Sequence, residues 1–294
     1  MNNYLITGSS GYIGQSLCNL LKVKKIPYIS FDIKNNKQQD IRNKKEIKKY
    51  LKNKNISHII HAAALSGVEK HLNEYDNYLD TNVVGTYNLL EVARELKIKN
   101  FIFTSSCSVY GNNNNCKESD KLLSESFYGL SKILCEEMIK FYGRKHGINY
   151  QILRIFNVIG HGINSEFQKN RLIPKILEKI KKNEPIDIYL QSNGIDNQIR
   201  DFVDIKYVID IIYELLINPF TNKIFNVASG KGNSVSDIVS LCQNLTNKIA
   251  FWNFTHGRDG DCDFQTANIR NLKTHRLFKD FNIKDIINDI IKHE

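Results

Sequence analysis

The chain has 294 residues, 41% of them hydrophobic, enough for one large α/β unit or two lobes around a sizeable core. No apolar run approaches the ~18 residues of a membrane span and no secretory leader pattern precedes the first strand, so a cytoplasmic protein without a membrane partner is expected. The net charge of +10 is spread along the chain and densest at 44–54, where it fits a solvated helix face; this argues against nucleic acid as a partner and favours a cleft that attracts a diphosphate.

Residues 3–7 form a short apolar strand that runs into Gly8-Ser9-Ser10-Gly11-Tyr12-Ile13-Gly14 and then an amphipathic helix at 15–21. Glycines at these spacings allow a tight turn, close approach of backbone to a pyrophosphate, and tight helix–strand packing, with the helix N-terminus facing the phosphates. A second strand at 28–31 ends at Asp32, where a carboxylate can hold the ribose hydroxyls of an adenosine and repel a 2′-phosphate. NAD is therefore favoured over NADP. A lysine-rich helix to about residue 53 follows Asp40-Ile41, and a strand at 58–61 leads into Ala62-Ala63-Ala64, small residues beside which a cofactor can lie close to the backbone. A single long helix is expected over 75–96, with Asn82 within it.

The strand at 101–103 delivers Thr104-Ser105-Ser106. A polar, asparagine-rich loop at 112–115 separates it from a helix that carries Tyr128 and Lys132 and extends to about residue 146. Four residues apart on a helix, Tyr128 and Lys132 share one face. The ammonium is expected to favour the phenolate and lower the phenol's pKa from ~10 toward neutrality, which suits a base that takes a proton from a sugar hydroxyl. Ser106 is placed to hydrogen-bond the same hydroxyl. A strand at 150–155 precedes Asn157. Beyond Gly160 the pattern loosens into a helix at 171–182, a short strand at 186–189, a segment at 200–216 that begins with Arg-Asp-Phe-Val and becomes a helix, a strand at 224–228, a Gly230/Gly232 turn, a helix at 236–245 and a last helix from about 284. The six cysteines (Cys18, Cys107, Cys116, Cys135, Cys242, Cys262) show no C-x-x-C spacing and read as thiols in a reducing compartment, not as a metal site or disulfide framework.

The repeated strand–helix alternation predicts an α/β fold with a doubly wound parallel sheet. With Gly8, Gly11 and Gly14, His61-Ala62-Ala63, the 104–111 segment, Tyr128-x-x-x-Lys132, Leu153-Arg154-x-Phe156-Asn157-Val158-x-Gly160, Arg200-Asp201-Phe202, Phe225-Asn226-Val227-Ala228-Ser229-Gly230 and Arg258-x-Gly260-Asp261, the chain resembles the extended short-chain dehydrogenase/reductase superfamily, most of all its nucleotide-sugar 4-epimerases acting on UDP-glucose and UDP-galactose.

The resemblance covers nearly the whole chain. It implies a Rossmann-type NAD-binding part at 1–157 and a smaller C-terminal substrate-binding lobe at 158–294, with about 200–229 returning to pack on the Rossmann core. It implies a catalytic triad of Ser106, Tyr128 and Lys132. Gly8, Ser10, Gly11, Tyr12, Ile13, Gly14, Asp32, Asp40, Ile41, Ala62, Ala63, Ala64, Asn82, Thr104, Tyr128 and Lys132 would bind NAD. Ser106, Asn157, Arg171, Leu172, Arg200, Arg258 and Asp261 would bind the nucleoside-diphosphate sugar, with Arg200 and Arg258 clamping the phosphates and no metal involved.

The implied reaction is epimerisation at C4 of a UDP-hexose through a transient 4-keto sugar, and the implied assembly is a homodimer feeding polysaccharide biosynthesis. A one-way 4-ketoreductase or dehydrogenase is the alternative, since the same triad serves it. Dehydration is disfavoured because Ser106-Cys107-Ser108 stands where sugar 4,6-dehydratases carry Thr-Asp-Glu. Two positions depart from the family pattern. Phe127 precedes the motif tyrosine in place of the frequent proline, and Asn170-Arg171 stands before Leu172-Ile173-Pro174 where small or amide residues are usual.

Overall fold

The computed structural model describes residues 3–66, 75–160, 171–195, 197–219, 221–257 and 261–293. Its centre is a six-stranded sheet in the spatial order Lys223–Val227, Asn149–Ile155, Asn100–Ser106, Ile56–His61, Asn3–Thr7, Tyr28–Phe31, with every neighbouring pair parallel. Strands buried on both faces carry apolar residues at successive positions, because the side-chain period of two sends neighbours to opposite sides. Ile6, Ile60, Ile102 and Leu153 pack with Leu17, Leu21, Val208 and Ile212 of the helices Tyr12–Val23 and Ile205–Ile217. Leu5, Ile59, Phe101 and Ile152 face Ile47, Leu90, Cys135 and Ile139 of the helices Lys44–Leu51, Gly85–Glu95 and Phe127–His146.

Register places the site. Thr7 pairs with His61, and His61 with Phe103, so Gly8 and Ala62 leave the sheet at its carboxyl edge beside Thr104, whose strand continues to Ser106 paired with Leu153–Ile155. That edge is where open α/β sheets receive ligands.

A separate cluster holds the C-terminal part together. Ile173, Ile176, Leu177 and Ile180 of the helix Leu172–Lys182 pack against Ile186, Ile188, Val235, Ile238 and Ile287. The segment that opens on Arg200 is not helical at first. Ile199–Asp204 is a strand, joined in a second sheet with Gly232–Ser234, Phe264–Ala267 and Asn113–Cys116, while Asn157–Ile159 pairs parallel with its last residues, Phe202 to Asp204. The helix Ile205–Ile217 and the strand Lys223–Val227 then return to the large sheet.

Two local expectations are corrected, and a strand near the tail is added. The long helix over 75–96 is interrupted: Tyr75–Tyr78 is α-helical, Leu79–Val84 is a wider π-turn, and Gly85–Glu95 resumes the α-helix. The interruption coincides with Asn82, whose buried amide bonds outside the helix instead of following its surface. The asparagine-rich loop contains a strand, Asn113–Cys116, paired parallel to Phe264–Ala267. Trp252–Thr255, near the tail, pairs parallel to Ile186–Tyr189.

Candidate active site

The glycine turn is sterically closed to side chains. Gly8 has φ +68°, and a Cβ there would sit against the backbone of Ala62 and Ala63; a Cβ on Gly14 would run into the Gly8 carbonyl. Ala62 N donates to Thr7 O at 3.2 Å, so the alanine run lies flush on the turn, and Ala64 continues it, partly buried. Gly11 is the N-cap of the helix Tyr12–Val23 with an extended backbone and no side-chain cap. Helical amides without an intrahelical or side-chain partner are suited to a pyrophosphate. Gly14 is buried within that helix, Ile13 packs against the core, and the Tyr12 hydroxyl donates to Gly160 O at 2.7 Å. These residues fit a dinucleotide: the cradle has no room for side chains and ends on exposed backbone donors.

Asp32 supports the same turn. Its Oδ2 accepts from Ser10 N at 2.9 Å and its Oδ1 from Lys34 N at 2.8 Å, fixing the carboxylate beside the glycine loop. The Ser10 hydroxyl donates to Asn35 Oδ1 at 2.8 Å. Asp40 is forked onto Arg42; burial pushes its carboxyl up, but the guanidinium outweighs that and holds it below its usual range. Ile41 is a core residue packed near Gly85, and its carbonyl accepts from Asn88. Asn82 is buried and braced: its Nδ2 donates to Leu65 O and Ser131 Oγ, and its Oδ1 accepts from Leu65 N.

At the end of the Asn100–Ser106 strand the catalytic candidates converge. Lys132 is buried, and its Nζ donates to Thr104 O at 2.9 Å while lying 5.9 Å from the Tyr128 ring centroid and 4.6 Å from that of Phe103. The Thr104 hydroxyl donates to His61 O at 3.2 Å. Ser106 caps a short 3₁₀ turn, its oxygen accepting from Ser108 N at 3.2 Å and donating to Ser108 Oγ at 3.1 Å, and its hydroxyl favours the ionised form of the neighbouring Tyr128 phenol. Gly129, next to the phenol, permits this closeness: a Cβ there would strike Ser124 Oγ and the Ser108 carbonyl.

The charge balance differs from the expectation of a lysine-lowered phenol. Burial pushes Tyr128 up to about 12, opposed first by the Ser106 hydroxyl and then by the Arg171 guanidinium. Burial also pushes Lys132 down to about 8. Both groups lose water on entering the protein, and for each the uncharged form gains. Spacing on a helix face gives proximity but not the cost of desolvation.

A network absent from the sequence reasoning stands behind these groups. Glu136, one helical turn past Lys132, is fully buried and forked by Arg154 at 2.7 Å, and its other oxygen accepts from Ser105 Oγ at 2.6 Å. Arg154 Nη1 also donates to the Tyr110 hydroxyl, which in turn donates to Asn226 Oδ1. Lys132 to Thr104 and Ser105 to Glu136 thus stitch the Tyr128 helix to consecutive residues of the strand that presents Ser106. Arg154 lies inside a recognised motif, and a charged residue in the middle of an apolar strand is the signal that points to such a buried partner.

The substrate candidates occupy the C-terminal side. Asn157 Nδ2 donates to Asp201 O at 3.0 Å. Arg200 is held by Gln198 Oε1 at 2.6 Å and Ile199 O at 3.0 Å; burial lowers its pKa, and Asp261 and Asp263 face it. Arg171, the N-cap of the helix Leu172–Lys182, donates to Val158 O at 3.2 Å and stacks 4.8 Å over the Tyr12 ring, within electrostatic reach of Tyr128. Leu172 packs against the C-terminal cluster. Arg258 lies outside the described residues. Among the described residues no group of acidic, histidine or cysteine side chains is arranged to hold a metal, and no helix is long and apolar enough to cross a membrane.

Comparison with known proteins agrees with this geometry. A putative UDP-glucose 4-epimerase of Methanocaldococcus jannaschii is 33% identical over 258 residues, covering 82% of this chain and 81% of that protein. The GDP-6-deoxy-D-talose 4-dehydrogenase of Aggregatibacter actinomycetemcomitans is 32% identical over 247 residues, covering 81% and 78%. The crystal structure of Thermus thermophilus UDP-glucose 4-epimerase in complex with NAD superposes with a TM-score of 0.88 over 99% of this chain and 98% of that one; at 21% identity it shows the shared fold. The model of the NAD-dependent epimerase/dehydratase family matches residues 4–228, and with the glycine cradle and the Ser106, Tyr128 and Lys132 cluster in place, the chain belongs to that family.

Proposed function

We propose that this protein is an NAD-dependent epimerase that inverts C4 of a nucleoside-diphosphate sugar, with a UDP-hexose as substrate. The observation that carries the reading is the convergence of Ser106, Tyr128 and Lys132 on the strand end that leaves the sheet beside the glycine turn. The residues above fit NAD: Gly8, Gly11 and Gly14 make room for the pyrophosphate, Asp32 takes the ribose hydroxyls, and Ala62 and Ala63 line the cofactor's path. Bound NAD supplies a hydride acceptor that becomes a donor, and in its oxidised form a positive charge.

Tyr128 takes the proton of the sugar 4-hydroxyl and returns it after the ring has turned over. Ser106 holds the same oxygen in line. Lys132 fixes the Thr104 carbonyl and adds positive charge near the phenol. Burial alone favours the neutral phenol, so the base works only when cations surround it. Arg200, with Arg258, grips the diphosphate, and Asn157 and Asp261 contact the sugar and nucleoside. Residues 1–157 form the NAD-binding part and 158–294 the substrate lobe, with 200–229 returning to the core. Tyr128→Phe removes the proton acceptor but not the cradle. We expect turnover to fall roughly 10²–10⁴-fold while NAD stays bound; full activity in that variant would refute Tyr128 as the base.

A second reading, a 4-keto nucleotide-sugar reductase or dehydrogenase, has support from the 32% identical 4-dehydrogenase and requires net consumption or release of reduced cofactor. We further propose a homodimer. Val84 and Tyr87 on one helical segment and Leu130, Leu134 and Phe141 on the Phe127–His146 helix are exposed apolar residues, an amount of apolar surface that favours a partner helix pair. All six cysteines are free and buried, in keeping with a reducing cytosol.

A further inference from the structure

Two partly buried arginines stand on the C-terminal side of the cleft, and their surroundings differ. Arg200 faces Asp261 and Asp263, and its fork is taken up by Gln198 and backbone carbonyls. Arg171 has the Val158 carbonyl and the face of Tyr12, and among the described residues it forms no ion pair. Its electrostatic neighbours are the phenols of Tyr12 and Tyr128, so it stands at the end of the cleft where the sugar reacts, while Arg200 lies toward Cys107 and Asp261. The Tyr12 hydroxyl donates to Gly160 O, and its ring face lies under the Arg171 guanidinium.

A guanidinium partly withdrawn from water, with no carboxylate beside it among the described residues, gains from an anion that a ligand supplies. In the function proposed above, Arg200 takes the diphosphate. A second anion on the same ligand, at the sugar end, is what Arg171 lacks.

We propose that Arg171 selects a sugar that carries a carboxylate, so that the preferred substrate is a nucleoside-diphosphate hexuronate and not the neutral hexose. The planar fork of Arg171 matches a carboxylate in bidentate fashion, and its cation–π seat on Tyr12 holds the fork in one orientation. This inference rests on the nucleotide-sugar reading given above.

The test is calorimetric binding of UDP-glucuronate, UDP-glucose and UDP to the NAD-loaded Tyr128→Phe protein, which holds turnover out of the measurement. The expected result is a preference for UDP-glucuronate over UDP-glucose of at least about tenfold, the scale of one charge-assisted hydrogen bond. Arg171→Met collapses that ratio toward one, and Arg171→Lys keeps part of it. Equal binding of the two sugars by the Arg171 protein overturns the proposal while leaving the nucleotide-sugar reading intact. An Arg171→Met loss that is the same for UDP as for UDP-glucuronate also overturns it, by making Arg171 a phosphate ligand. If none of the three ligands binds, the nucleotide-sugar reading fails and the proposal falls with it.

Discussion

Lys132 and Tyr128 are close enough to influence each other, yet each is dominated by its own desolvation. Burial takes the phenol up to about 12 and the ammonium down to about 8, so in the protein alone at neutral pH the tyrosine is protonated and the lysine still largely charged. The sign of the pH dependence follows. Proton abstraction requires the phenolate, so kcat/KM rises as pH approaches the phenol's working pKa from below and levels off above it. Every nearby cation moves that limb to lower pH. Lys132→Met removes one and is expected to shift the limb upward by about one pH unit or more. A pH profile unchanged in that variant would remove Lys132 from any electrostatic role. His61 takes no part in this titration: burial, and then the Lys132 charge, press it down to about 3, and it stays neutral between the hydroxyls of Thr7 and Thr86.

At the scale of elements, the catalytic geometry depends on how closely the Phe127–His146 helix approaches the 3₁₀ turn at Cys107–Tyr110. Gly129 sets that distance, because any Cβ would meet the Ser108 carbonyl and Ser124 Oγ. Gly129→Ala is therefore expected to push the first helical turn outward, carry Tyr128 away from Ser106 and lower kcat at least tenfold, since catalytic geometry tolerates displacements of well under 1 Å. NAD affinity, measured by fluorescence quenching, is expected to hold because the glycine cradle lies on other elements; equal kcat in the variant would contradict the account.

Elements were legible in the sequence where local pattern decides them. The strands that run into Gly8, Asp32 and Ala62 were legible because apolar runs stop at residues suited to a sheet's carboxyl edge, whereas the strand expected at 101–103 runs on through Thr104 to Ser106. The π-turn at Leu79–Val84 was not, since its cause is the bonding of Asn82 to Leu65 and Ser131, far away in sequence. The Asn113–Cys116 strand was hidden for the same reason: its partner lies about 150 residues later, and asparagines announce loops. In the site, the Tyr128/Lys132 pair was readable from its spacing. The Arg154–Glu136–Ser105 brace was not, because its members come from three elements whose facing sides only packing defines.

For the whole molecule, the proposed homodimer rests on the exposed Leu130, Leu134 and Phe141. A sedimentation mass of twice the 34.0 kDa chain is expected, and Leu134→Glu is expected to return it to one chain by placing a charge in an apolar seam. A monomer at micromolar concentration in the parent protein would contradict this. The central claim is cofactor-retaining inversion at C4. It is tested most directly by purifying the protein without added NAD, assaying the denatured supernatant for NAD, and incubating the native protein with nucleotide sugars epimeric at C4, UDP-glucose and UDP-galactose and their uronate counterparts. The account predicts bound NAD and interconversion of at least one pair with no net NADH. Absence of bound cofactor, with NAD(P)H consumed only when a 4-keto sugar is supplied, would contradict it and establish the reductase instead.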